Sequence, residues 1–217
     1  LLRKPGSLQR SALRLVVHGR SGGEIPSCWL ELADAVACRR QAPVLLEALT
    51  AAEPAQTRGL SLTSDPEHEW LVPLLLLPGS HVRSDLPEIR QRLREAGTSI
   101  TLLPFLGAWP YWRDLLGRWL SSADDLAAAS WAVVHHPVRP GPADRYLKLL
   151  QSQLGCPLVP ADQWEVFETE HPGYQPRPLA LAPNRMSEAL RQAGGSPALL
   201  EVPLVRSGLI DLLAALP

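Results

Sequence analysis

Apolar residues along the chain fall into short, dense runs separated by stretches with helical spacing. Leu13 to Val17 is such a run, and it stops at His18-Gly19-Arg20-Ser21-Gly22-Gly23, predicting a buried strand that feeds a glycine-rich loop. From Pro26 to Arg40 the apolar positions Trp29, Leu30, Ala33, Val36 and Ala37 recur at helical spacing, with Pro26 and Ser27 as starting signals and Arg39 and Arg40 at the end. Val44 to Leu49 predicts a second strand, and Trp70 to Leu77 a third that ends at Pro78-Gly79-Ser80-His81. A helix over Leu86 to Ala96 follows, with Pro87 in its first turn and Gly97 closing it; Ser99 to Phe105 then reads as a fourth strand and Trp112 to Leu120 as a closing helix.

Strands that are apolar throughout and alternate with helices belong to a parallel sheet covered on both faces, so the fold class is α/β. The same order then returns. Ala132-Val133-Val134-His135 repeats Leu15-Val16-Val17-His18, and Pro178-Leu179-Ala180-Leu181-Ala182-Pro183 repeats Pro73-Leu74-Leu75-Leu76-Leu77-Pro78. Each of the latter is followed by a charged helix closed by Ala-Gly, at Ala96-Gly97 and Ala193-Gly194. Leu200-Glu201-Val202-Pro203-Leu204 echoes Leu102-Leu103-Pro104-Phe105, and Asp211-Leu212-Leu213 echoes Asp114-Leu115-Leu116. Four elements in one order, twice, indicate an internal duplication: an N-terminal α/β unit over residues 1–122 and a related C-terminal unit over 123–217. Ligands of such sheets bind outside the carboxyl ends of the strands, where His18 and His81 are both predicted.

Composition narrows the function classes. With 46% hydrophobic and 20% charged residues and a net charge of -1, the chain is an ordinary globular one without a global attraction to nucleic acid or to an anionic membrane. No apolar run approaches the roughly 20 residues of a spanning helix. Cys28, Cys38 and Cys156 have neither metal-ligand nor disulfide-scaffold spacing; they suit a cytoplasmic protein and read as small core residues. No glycine-rich phosphate loop is present, so no organic or nucleotide cofactor is expected.

The constellation with chemistry is His18 after the first strand, Glu47 at the second and His81 after the third, since a sheet brings consecutive strand ends together. Two imidazoles and a carboxylate suit a borderline divalent cation and can also accept protons near neutral pH. Arg20, Arg83, Arg185 and Arg206 each fall just after a predicted strand, where a guanidinium can bind carboxylates bidentately. His135 and His136 point to opposite sides of a strand end, so at most one reaches the cleft; His68 and His171 read as surface residues. Leu106 to Trp112 is an aromatic turn that reads either as a stacking surface for a flat ligand or as an apolar seam, and Pro160 to Pro178 as an irregular insertion, a lid or a loop.

Three segments carry a resemblance to a known family: Leu15-Val16-Val17-His18-Gly19-Arg20, Pro43-Val44-Leu45-Leu46-Glu47, and above all Val72 to Pro87, with its Gly79-Ser80-His81 turn and Asp85-Leu86-Pro87 helix start. They resemble the CbiX-type sirohydrochlorin chelatases of the class II chelatase fold, in a long, internally duplicated form. The resemblance implies two chelatase-like units, each a parallel sheet flanked by helices, facing each other across a cleft. It implies insertion of a divalent metal, cobalt or iron with nickel or zinc as further options, into sirohydrochlorin for siroheme or cobalamin synthesis. By it, His18, His81 and Glu47 are the catalytic and metal-handling residues, while Ser80 and the four arginines bind the substrate. Duplication implies a monomer.

The chain also departs from the family. The family usually has His-Gly-Ser-Arg where this chain has His18-Gly19-Arg20-Ser21, and Asn184-Arg185-Met186 stand where a second His81 would be, which implies one site rather than two. A chelatase-like protein that binds and delivers metal or tetrapyrrole without turnover is the alternative.

Overall fold

In the computed structural model residues 11–19, 24–49, 56–58, 68–122 and 130–217 are described. They form two compact units. The first comprises Leu1–Leu75, Ser80–Pro104 and Ile210–Pro217, and the second Leu76–Gly79 and Phe105–Leu209. This grouping by packing differs from the linear division at residue 122: helix Pro110–Leu120 packs in the second unit, and the last residues pack in the first.

The first unit is built on β1 (Ala12–Val17), β2 (Val44–Ala48), β3 (Gln56–Arg58), β4 (Glu69–Pro73) and β5 (Ile100–Leu102), in the order β3-β2-β1-β4-β5. Four of these strands are parallel, as the uniformly apolar runs predict, whereas β3 closes the β2 edge antiparallel, with Val44 opposite Arg58. That edge strand, made of Gln, Thr and Arg, has no apolar signature in the sequence. The third strand is shorter than expected. It stops at Pro73, Leu74 N–H donates to the Val16 carbonyl (2.8 Å), and the chain then leaves the sheet.

Between β1 and β2 runs α1 (Ser27–Arg40), whose buried stripe of Trp29, Leu32, Ala33, Val36, Ala37 and Arg40 recurs at intervals of three and four residues. Burying its larger apolar side chains is worth about 1.5–3 kcal/mol each. Arg40 ends this stripe at 2% exposure because its guanidinium finds carbonyl acceptors, donating to Ser11 O (2.8 Å), Leu216 O (2.5 Å) and Pro217 O (2.7 Å). Gln41 closes α1 in the left-handed conformation, at φ 53°. After β4 come the short α2 (Ser80–Arg83) and α3 (Asp85–Glu95), the latter closed by Gly97 at φ +86° as its Ala-Gly ending predicts.

The second unit contains α4 (Pro110–Leu120), β6 (Ser130–His135), α5 (Pro142–Leu154), β7 (Leu158–Pro160), α6 (Trp164–Glu170), β8 (Tyr174–Pro178), α7 (Arg185–Gln192) and the part of α8 (Pro203–Ala214) up to Leu209. Its parallel sheet has the order β7-β6-β8, the counterpart of β2-β1-β4. Val134 lies opposite Pro178 as Val16 lies opposite Pro73, and Leu179 N–H donates to the Val134 carbonyl as Leu74 does to Val16.

Three expectations change here. The run Pro178 to Pro183 is not the strand; the strand is the preceding Tyr174–Pro178, in which Pro176 and Pro178 pair with Ala132 and Val134 and only Leu179 of the following run still donates to β6. Leu200 to Leu204 is not a fourth strand. It is a 3-10 turn (Leu199–Glu201) entering α8 at Pro203, matching the 3-10 turn Leu106–Ala108 that precedes α4 at Pro110. The segment Pro160 to Pro178 is neither lid nor irregular loop: Trp164 is 5% exposed in the core with Ala132, Val134 and Leu190, and Phe167 and Tyr174 pack against it. The aromatic turn is divided, with Trp112 fully buried and Tyr111 72% exposed. None of the three cysteines is in a disulfide; Cys38 is exposed and Cys28 and Cys156 are half-buried, not core residues.

Candidate functional site

β1 is buried along its whole length, and the first residue after it, His18, is exposed. β4 ends at Pro73, and the turn through Pro78 and Gly79 delivers the chain into α2, whose second residue is His81. Because β1 and β4 are adjacent and parallel, these two exits meet. The imidazoles of His18 and His81 lie with ring centroids 5.1 Å apart in an edge-to-face arrangement at 81°. His81 Nδ1 donates to Asp85 Oδ2 (2.5 Å) and His18 Nδ1 to the Gly19 carbonyl (3.1 Å).

Glu47 does not join them as a third ligand. It is 5% exposed, one carboxylate oxygen accepts from Arg14 Nη1 (3.0 Å), and the other is paired with Arg92. Arg14 in turn binds Glu69 through Nε (2.7 Å) and Nη2 (3.2 Å). Among the described residues no group of three or more His, Cys, Asp and Glu is placed to hold a metal ion. Two neutral imidazoles alone leave most of a cation's coordination positions to other groups, which suits a metal that is passed on rather than kept.

The network around Arg14 is absent from the sequence reading, in which Leu13 to Val17 counts as apolar. The signal was there: a guanidinium inside a buried central strand needs partners, and Glu47 and Glu69 lie in the two strands that flank it. Register puts all three on one face, since Val16 is opposite Glu47 and Ala12 opposite Glu69. Desolvation opposes the charge of Arg14, but the hydrogen bonds and charges of Glu69 and Glu47 outweigh it and raise its pKa.

Of the other expected substrate-binding residues, Arg20 lies outside the described residues. Ser80 and Arg83 are exposed on α2, one on each side of His81. Arg185 is exposed at the first residue of α7, whereas Arg206 lies inside α8, not at a strand end. His171 is exposed; His68 is half-buried, against Trp70 with its Nδ1 at 3.0 Å from Ser99 Oγ.

The second unit lacks an equivalent histidine pair. The matched ladder positions shift the alignment of the repeats by one residue: the counterpart of His18 is His136, not His135, and that of His81 is Met186, which is 8% exposed in the core. Asn184 serves as helix cap: its side-chain oxygen accepts from Ser187 N–H (2.9 Å), and Ser187 Oγ accepts from Asn184 N–H (2.9 Å). His135 is 4% exposed and lines a cavity of about 290 Å³ with Asp144, Asp162 and Gln163.

Burial holds the His135 pKa below its ordinary 6.5, with the hydrogen bond to the His136 carbonyl and the charge of Asp162 acting in the opposite sense. As pH falls below about 6.5 the unfolded chain takes up this proton before the folded one does. Stability is therefore present above that pH and lost as pH falls towards the folded value. Denaturant unfolding at pH 7.5 and 5.5 is expected to show a larger loss for the natural chain than for His135→Gln; equal losses would contradict a buried neutral imidazole.

Several solved structures share this architecture. The chain superposes on SirB from Bacillus subtilis with Fe3+ at a TM-score of 0.69 and 15% identity, covering 95% of this chain and 96% of that one. For the sirohydrochlorin chelatase SirB from Bacillus subtilis subspecies spizizenii in complex with cobalt the values are 0.58 and 16%, with 93% of each chain covered. For CbiX, described as the terminal enzyme for biosynthesis of siroheme in denitrifying bacteria, they are 0.59 and 21%, covering 96% of this chain and all of that one. At these identities the likeness is one of fold. No curated protein matches the chain. The family model CbiX matches residues 12–123, just over half of the 217 residues, and the chain belongs to the CbiX family.

Proposed function

We propose that the protein is a sirohydrochlorin chelatase that inserts a divalent cation, cobalt or iron(II), into its substrate. The observation that carries this reading is the convergence of His18 and His81 at the ends of adjacent parallel strands. Insertion exchanges one divalent cation for two pyrrole protons, so the site must deliver a metal and receive protons; neutral imidazoles do both near neutral pH. Glu47 contributes as a buried negative charge in the strand beside His18, held by Arg14 and Arg92. Ser80 and Arg83, and Arg20 beside His18 in sequence, offer donors for the carboxylates of the macrocycle. The family membership and the fold shared with cobalt- and iron-bound SirB support the substrate and the choice of metals.

One observation favours a second reading, binding and delivery without turnover: the histidine pair has no third ligand among the described residues. The absorbance change of sirohydrochlorin mixed with cobalt(II) or iron(II), with and without catalytic amounts of protein, separates the two. Steady turnover with substrate in excess supports the chelatase. Tight stoichiometric binding without acceleration rejects it, and the metal inserted faster indicates whether siroheme or cobalamin synthesis is served.

A further inference from the structure

Both histidines of the pair have one ring nitrogen already engaged. His81 Nδ1 lies 2.5 Å from Asp85 Oδ2, one helical turn further on, where Ser84 joins α2 to α3. His18 Nδ1 lies 3.1 Å from the carbonyl oxygen of Gly19. A carbonyl and an ionised carboxylate only accept, so in each ring the hydrogen is on Nδ1 and the lone pair of the neutral imidazole is on Nε2. The side chains of His81 and Asp85 are 38% and 36% exposed, so the contact lies at the rim of the site, where a partner is needed to hold a ring still.

We infer that Asp85 is a positioning residue: by accepting the Nδ1 hydrogen of His81 it fixes the ring in the tautomer and orientation that present Nε2 to the incoming cation, as the Gly19 carbonyl does for His18. The inference rests on the chelatase reading for its use, but its geometric content stands without it. A carboxylate behind a metal-facing imidazole orients the ring and makes it a better donor, and loss of such a partner typically costs about 10–100-fold in metal affinity. Asp85 also lies in the first turn of α3, where a negative charge favours the helix, so the test must separate the two effects.

Long-range proton–nitrogen spectra of the metal-free chain report the tautomer of each histidine. In the natural protein both His18 and His81 are expected to carry hydrogen on Nδ1. In Asp85→Ala His81 is expected to move to the Nε2–H form that dominates in water, with His18 unchanged, and cobalt(II) titration is expected to show an affinity about 10–100-fold lower. A purely helix-starting role would lower thermal stability without moving the tautomer. Asp85→Asn keeps an acceptor oxygen of the same reach but not its charge, so it is expected to retain the tautomer and lose several-fold in cobalt affinity; it carries the test if the alanine variant does not fold. Retention of the Nδ1–H form and of affinity within about twofold in Asp85→Ala, or an affinity unchanged in Asp85→Asn, overturns the inference. Failure of the natural chain to accelerate insertion rejects the chelatase reading instead, and the tautomer spectra, which need no metal, still decide the role of Asp85.

Discussion

His18→Ala and His81→Ala are each expected to lower the rate of metal insertion by at least about 100-fold, the low end of what a positioned acid–base group contributes. The two rings stand 5.1 Å apart, close enough to act on one cation, and among the described residues no carboxylate joins them in a three-ligand group to compensate for a lost imidazole. Groups that act as a unit are not additive, so the double variant is expected to be little worse than either single one. Both substitutions replace side chains that are exposed or partly exposed, so melting temperatures are expected to stay within a few degrees. Insertion followed by absorbance decides the matter: a single variant retaining more than about a tenth of the natural rate would show that the pair is not the metal-handling unit.

Arg14→Met is expected to be the most destabilising single substitution in the first unit, at about 3–5 kcal/mol. The guanidinium is 8% exposed and is the shared partner of Glu47 at 5% and Glu69 at 4%. Removing it leaves Glu69 with no other ion pair among the described residues and leaves Glu47 with only Arg92, whose side chain is 55% exposed. A buried carboxylate without a partner either stays charged at high cost or takes up a proton. For a chain of this size the loss corresponds to a melting temperature lower by about 6–20 °C, measured by calorimetry or circular dichroism. The combined variant Arg14→Met, Glu47→Gln, Glu69→Leu is expected to recover much of it, since no orphaned charge then remains. A loss below about 1 kcal/mol for Arg14→Met alone would mean that water reaches the network.

Much of this architecture was legible because it rests on patterns with a direct physical cause. Helix α1 was readable from its apolar spacing, and α3 from Pro87 at its start and Gly97 at its end. The strand exits carrying His18 and His81 followed from apolar runs that end in turn residues. The illegible parts have causes too. β3 is polar because it edges the sheet, so nothing in its composition marks it as a strand. The ladder of β8 precedes its apolar run because its partner β6 ends at His135, so hydropathy beyond Pro178 has no strand left to pair with. Trp164, Phe167 and Tyr174 sit in a stretch rich in turn-forming residues, and only tertiary packing shows that they complete a core. The accompanying role expected of Glu47 became a pairing with Arg14 and Arg92 because proximity in the sheet does not decide which charge a carboxylate meets first.

The unequal edges of the two sheets bear on how the copies can diverge. In the first unit the outer side of β2 is covered by β3; in the second no described strand covers β7. Val133 N–H donates to the Pro157 carbonyl, so alternation turns the backbone of Leu158 outward, and Pro160, the last residue of the strand, has no N–H to offer. A single outward donor is too little to template another chain. Pro160 therefore helps give β7 the protection against self-association that β2 obtains from a whole strand, which makes the covering strand dispensable at the cost of one residue. Replacing Pro160 with a residue that can donate would expose a longer edge, and the second unit, not the one bearing the His18–His81 pair, would become the point where molecules join.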